Sequence, residues 1–169
     1  MNSKFLSKNE LIKINFKSFG QNVMISKNVT IIGAKNISLG SNVRIDDYCI
    51  ISANEGHLKI GNDVHLGGQS YLGCAGGLII GNNINIAQGV KIYTKVNDYS
   101  SFDGNNNKFI SVKINICDQV IIGSNSVLVG NCTIGEGATI GALSFVKNDL
   151  KPWSVYAGNP VKFIKDRQN

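Results

Sequence analysis

Only two prolines, two histidines and one tryptophan occur among the 169 residues. With so little proline, collagen-like and proline-rich disordered chains are excluded, even though 19 glycines are present. His57 and His65 lack the spacing of a paired metal motif, and two imidazoles fall short of the three that a catalytic zinc site of the carbonic anhydrase kind needs, so no metal is expected. Charged residues make up just 17%, and Lys+Arg (17) exceed Asp+Glu (11) by a net +6. Such a balance suits nucleic acid, a membrane surface or a phosphorylated small molecule. Because no RNP motif, helix-turn-helix pattern or block of consecutive Lys/Arg is present, no nucleic-acid partner is expected. The opening MNSKFLSKNELIK has no long apolar run, so neither a leader nor a membrane span is expected and the protein reads as cytoplasmic. Cys49, Cys74, Cys117 and Cys132 stand singly, without a C-x-x-C pair, and read as small buried residues of a reducing compartment.

What the chain does have is a period. From Ile116 an aliphatic residue returns every six positions, at Ile122, Leu128, Ile134, Ile140 and Val146. Gly follows at 123, 135 and 141, and a small or β-branched residue comes four positions after each guide: Val120, Ser126, Cys132, Ala138, Ser144. A helix repeats at 3.6 and a strand at 2, so six is neither. The register recurs upstream as Leu39, Ile45, Ile51; Ile60, Leu66, Leu72; and Ile80, Ile86, Ile92, with a weaker Phe19, Ile25, Ile31 before them. Each hexad is one short strand and a turn, and three hexads close one triangular coil. Guide aliphatics therefore point inward and stack on equivalents about 18 residues away, in parallel ladders.

This pattern predicts an all-β parallel solenoid of hexapeptide repeats over 19–149, preceded by a helical cap over 1–18 and followed by a tail over 150–169. Ser7 with Glu10 three later is a capping-box pattern for a short N-terminal helix covering the open end of the stack. Asn159-Pro160 before VKFIKDR predicts a C-terminal helix, Asn as N-cap and Pro at the first helical position. The polar stretch 94–111 breaks register and returns to it, since Ile92 to Ile116 is four hexads. An excursion thrown out of a solenoid face is where binding and chemistry are usually built.

The hexads resemble the left-handed parallel β-helix family of hexapeptide-repeat proteins, and the handedness comes from that resemblance. The closing hexads ending IGALSFV, followed by KPWSVYAGNPVKFIK, are similar to the acetyl-CoA-dependent sugar acetyltransferases of the galactoside, maltose and polysaccharide-antigen type. The resemblance implies a homotrimer with sites between neighbouring coils, acetyl-CoA as cosubstrate, and direct transfer without a covalent intermediate. It places Ser124 and Ala142 against the pantetheine, and Lys147, Lys162 and Lys165 near the nucleotide end, where phosphates want cations. Where the family has Trp in the hexad before Ser124, this chain has Ile121.

O-acetylating relatives carry a histidine in the loop after the hexad VKIYT. This chain reads YTKVNDYS, putting Lys95 or Asn97 there, and the loop holds no histidine. Candidate catalytic residues are therefore Lys95, Asn97, Asp98 and His65, with Gln69, Tyr71 and Asn85 as polar contacts for the acceptor. The main expectation is O-acetylation of a saccharide for surface polysaccharide or sugar metabolism. One alternative is N-acetylation of a nucleotide-linked amino sugar, since an amine attacks without a dedicated histidine base. A second is a non-catalytic paralogue acting as a binding scaffold.

Overall fold

The computed structural model describes residues 4–98 and 108–167. Three flat parallel sheets wind into a triangular solenoid with the guide aliphatics inside. The first face stacks Ser18–Phe19, Ile37–Leu39, Leu58–Ile60, Leu78–Ile80, Ile114–Ile116 and Cys132–Ile134. The second stacks Met24–Ile25, Arg44–Ile45, Val64–Leu66, Ile84–Ile86, Ile121–Ile122, Thr139–Ile140 and Ser154–Ala157. The third stacks Thr30–Ile32, Ile50–Ser52, Tyr71–Gly73, Lys91–Tyr93, Val127–Val129 and Phe145–Val146.

Burial follows the hexad phase. Ile45, Ile86, Ile92, Ile122, Leu128 and Ile134 are sealed from solvent, and the residue before each guide points outward, as Lys59 does before Ile60. The left-handed region recurs at two corners of each coil, where Asn22, Asn42, Asp63, Asn83 and Asn125 all have φ between 54° and 58°. Asn and Asp are the side-chain-bearing residues that enter this region most readily. Asn side chains also tie successive coils together. Asn82 Oδ1 accepts from the Asn62 amide at 2.8 Å, and Asn62 Oδ1 accepts from the Ser41 amide at 2.8 Å.

The 18-residue stacking interval holds only in the C-terminal half, where Ile116 pairs with Ile134 and Ile122 with Ile140. Upstream, Leu39 pairs with Ile60 and Ile60 with Ile80, intervals of 21 and 20. The surplus residues all lie at one corner, between the third and first faces. That corner also launches the excursion, so Ile80 pairs with Ile116 across it. Its two stems, Lys95–Asn97 and Phe109–Ser111, form an antiparallel ribbon. The tip, 99–107, lies outside the described residues.

Helix α1 (Lys8–Ile14) carries the expected capping box: Glu10 N donates to Ser7 Oγ at 3.3 Å and Ser7 N to Glu10 Oε2 at 2.7 Å. The Ser7 amide and, at 2.7 Å, the Ser7 hydroxyl both donate to the Glu10 carboxylate and hold it below the usual carboxylate range. Leu11 anchors the helix in the core, while Leu6, Phe16 and Phe19 pack against it.

The C-terminal helix does not form. Lys162–Asp166 is a strand, paired antiparallel to Ser154–Ala157 with a bulge between Val155 and Tyr156. The last parallel strand would otherwise expose a row of unpaired amides and carbonyls, and a returning hairpin satisfies them. Gly158, at φ 105°, lies in the turn between the two strands. Arg167 Nη1 locks the return through the Gln119 and Gly137 carbonyls, at 3.0 and 2.8 Å.

Candidate active site

The sequence-derived site residues divide between the two long edges of the third face. On the second face, the hexad register places Arg44, His65 and Asn85 in one outward row. His65 Nδ1 lies 3.1 Å from Asn85 Oδ1, and its Nε2 lies 2.8 Å from Asp46 Oδ2. Arg44 Nε donates to the other Asp46 oxygen at 2.9 Å. Burial pushes the Asp46 pKa up, but the His65 and Arg44 hydrogen bonds outweigh it and hold the carboxyl below its ordinary range. Asp46 was not among the sequence candidates. Its signal was its place directly after the guide Ile45, one coil below His65.

At the corner between second and third faces, Gln69 takes a left-handed conformation (φ 61°), and its carbonyl accepts from Lys91 Nζ at 2.6 Å. Ser124 and Ala142 occupy the same corner in later coils, where the Leu143 amide donates to the Ser124 carbonyl at 2.9 Å. Lys162 and Lys165 are exposed on the last strand of the second face, and Lys147 is exposed just after the last strand of the third. Lys162 and Lys165 thus lie on the face that leads into the Ser124–Ala142 corner, whereas Lys147 stands at the opposite edge of the third face.

Across the third face, Tyr71 and Tyr93 stack with ring centroids 5.2 Å apart and planes tilted by 36°. Gly73 stands opposite Tyr93 in register, and a Cβ there would come within 2.9 Å of the Tyr71 ring. Missing side-chain bulk at Gly73 is therefore what lets the Tyr71 ring settle. The rings line a cavity of about 320 Å³ that Ser52, Asn54, Glu55 and Lys95 also border. Lys95 Nζ donates to Glu55 Oε2 at 2.6 Å and lies 5.0 Å from the Phe109 ring centroid. Asn97 pairs with Phe109, and the Asp98 amide donates to the Lys108 carbonyl at 2.8 Å.

The structure therefore brings His65 to Asn85 on one edge, and Tyr71 to Lys95 on the other. Within one chain it does not bring His65 to the excursion residues Lys95, Asn97 and Asp98. Tyr93 and Glu55 were also missed. Tyr93 had a signal, as an aromatic directly following the guide Ile92, whereas Glu55 had none, because its partner lies 40 residues on. Among the described residues, no three His, Cys, Asp or Glu side chains converge as metal ligands. No helix among the described residues is long and apolar enough to cross a membrane.

Stacked hexads with a polar excursion thrown out at one corner define a parallel β-solenoid of hexapeptide repeats. Residues 113–148 match the bacterial transferase hexapeptide (six repeats) family. Over 171 aligned residues the chain is 37% identical to the dTDP-4-amino-4,6-dideoxy-D-glucose acyltransferase of Escherichia coli, covering 96% of this chain and 88% of that one. The chain belongs to the hexapeptide-repeat acyltransferase family. Among solved structures, it superposes on AntD, an N-acyltransferase of Bacillus cereus, with dTDP and 3-hydroxybutyryl-CoA bound. There the TM-score is 0.90 at 36% identity, covering 99% of this chain and 92% of AntD. An AntD variant holding dTDP-4-amino-4,6-dideoxyglucose and coenzyme A gives a TM-score of 0.92 at 36% identity, covering 100% and 93%.

Proposed function

We propose that the protein transfers an acyl group from acyl-CoA to the amino group of a nucleotide-linked amino sugar of the dTDP-4-amino-4,6-dideoxyglucose kind. The observation that carries the reading is near-full-length similarity to two acyltransferases of such sugars. It favours the amine over the sugar hydroxyl of the main sequence expectation. The excursion without a histidine agrees with that choice. The neutral amine attacks the thioester carbonyl, the C–S bond breaks, an amide forms, and the departing thiolate takes the proton the nitrogen loses. Such an attack needs positioning more than it needs a strong base.

In this reading the coenzyme lies along the Ser124–Ala142 corner, with its phosphates towards Lys147, Lys162 and Lys165. The acceptor lies near Asn97 and Asp98, with Gln69, Tyr71 and Asn85 as its polar contacts. Because Lys147 and the excursion residues Asn97 and Asp98 lie across the third face from Ser124, Ala142, Gln69 and Asn85, a complete site draws one edge from each of two copies, which a homotrimer supplies.

The test is turnover with acetyl-CoA, read as free thiol released, against dTDP-4-amino-4,6-dideoxyglucose and against its 4-hydroxyl counterpart. The amine is expected to react and the hydroxyl not. Turnover of the hydroxyl alone would overturn the reading. The rate should climb with pH as the amine loses its proton, without a histidine inflection near 6.5.

A further inference from the structure

Two lysines of the same hexad phase behave differently. Lys59, before the guide Ile60, reaches into solvent, whereas Lys91, before the guide Ile92, is half-buried. Flanked in register by Tyr71 and Val127, Lys91 turns its ammonium back to the Gln69 carbonyl at 2.6 Å and the Gly89 carbonyl at 3.2 Å. Both acceptors are left-handed residues of the corner between the second and third faces, one coil apart. An ammonium has three N–H donors, so one remains for a ligand. Among the described residues Lys91 has no carboxylate partner, whereas the charge of Lys95 is met by Glu55. Two neutral carbonyls therefore hold this cation in place without cancelling its charge.

We propose that Lys91 is a catalytic residue of the acyl transfer: its third N–H meets the thioester carbonyl oxygen and stabilises the negative charge that gathers there as the acceptor attacks. The inference rests on the acyl-CoA reaction proposed above, and it adds the group that carries the oxyanion. Position supports it. Along this corner the Leu143 amide bonds to the Ser124 carbonyl at 2.9 Å and the Asn125 amide to the Gln88 carbonyl at 3.0 Å, so the coil of Lys91 is the next step below Ser124. Successive coils lie about 4.8 Å apart. A coenzyme that enters from Lys162 and Lys165 and passes Ala142 and Ser124 therefore brings its thioester end to Lys91, beside the acceptor contacts Gln69 and Asn85. As the nitrogen–carbon bond forms, the carbonyl electron pair moves onto oxygen, where the Lys91 N–H meets it. When the pair returns, the C–S bond breaks, the thiolate takes the proton the nitrogen loses, and Lys91 ends as it began, an ammonium. A donor fixed before the reaction needs no reorganisation when the charge appears.

Two measurements on the full-length protein test this: steady-state turnover of dTDP-4-amino-4,6-dideoxyglucose, and infrared difference spectra of bound acetyl-CoA isotope-labelled at its thioester carbonyl. Lys91→Met should lower kcat about 100-fold or more while KM for acetyl-CoA changes less than about threefold, the split of a group that acts on the transition state. A residue that merely ties the corner together would instead raise KM. Lys91→Arg, which restores a charged donor, should recover part of kcat. In the infrared, the carbonyl band should lie at lower frequency in the wild type than in Lys91→Met, because a cationic donor polarises the bond. Affinity for coenzyme A reports that each variant folds, and Lys91→Gln, which keeps an N–H for the Gln69 carbonyl, carries the same comparison if Lys91→Met does not. An unchanged kcat, or the same carbonyl band with and without Lys91, would overturn the assignment and leave the proposed reaction standing. The infrared comparison needs no acceptor, so it decides the role of Lys91 even if the amine fails to react, a failure that would overturn the acceptor reading instead.

Discussion

At the residue scale, Gly76 is fixed by close approach rather than by its backbone angle. A Cβ there would meet the Val112 carbonyl at 2.1 Å and the Thr94 carbonyl at 2.4 Å, the two points where the excursion leaves and rejoins the solenoid. Gly76→Ala should cost about 1–3 kcal/mol by overpacking, read by urea unfolding. It should lower turnover further than stability alone accounts for, because the stems carry Lys95 and Asn97. Asp46 gives a pH signature. Its folded pKa is held below the unfolded one, so its stabilising contribution is complete above the ordinary carboxylate range near 3.9 and is lost as pH falls through the folded value. Calorimetric melting should show Asp46→Asn below the wild type at pH 7, with the gap narrowing only as pH falls below the ordinary carboxylate range. The thiols are quiet for a related reason: burial pushes Cys74 up to about 12, and burial with Asp149 nearby pushes Cys132 up to about 11. Cys49, Cys74 and Cys132 of the native protein should therefore react slowly with a disulfide reagent at pH 8 and promptly once unfolded, whereas Cys117, half-exposed against the sequence expectation, should be the first to react.

The strand is the element in which phase decides everything. Lys59 faces solvent and its neighbour Ile60 is 2% exposed. Ile60→Asp should abolish folding, with a loss above about 4 kcal/mol from an unpaired buried charge, while Lys59→Asp should melt close to the wild type. Similar melting of the two would mean that the guide residues do not form the core. The tail obeys a different rule. Asn-Pro reads locally as a helix start, but the edge of Ser154–Ala157 offers a row of backbone partners that a helix would leave empty. Arg167, bonded to two carbonyls and stacked near the Trp153 ring, closes that hairpin. Truncation after Lys165 should expose the edge and lower the melting temperature.

For the whole molecule, a solenoid contacts mainly its own neighbouring coils, so the N- and C-terminal halves tolerate different coil lengths without disturbing each other. The proposed site spans both edges of the third face and needs a second copy. Sedimentation should therefore report about three times the 18.2 kDa chain mass. Mixed trimers of inactive Ser124→Trp and inactive Lys95→Met/Asn97→Ala chains should regain part of the activity, because some interfaces then pair two intact edges. Failure of such mixtures to recover activity would place both edges' contributions within one chain.

By itself the sequence determined the hexad phase, and with it the core, the outward rows and the point where the excursion leaves. It also determined the N-terminal helix through Ser7 and Glu10. These are local properties, carried by residues within six positions of one another, and each coil repeats them. Tertiary structure decided what lies beside what across coils. Intervals of 20, 21 and 36 residues replace the nominal 18 wherever a corner is enlarged, and only the folded stack shows that these enlargements share one corner. That is why Tyr71 meets Tyr93, why Lys95 reaches Glu55, and why Asp46 comes under His65. The same holds for the tail, where an unpaired strand edge formed by the preceding coil outweighs the helix start written into Asn159-Pro160.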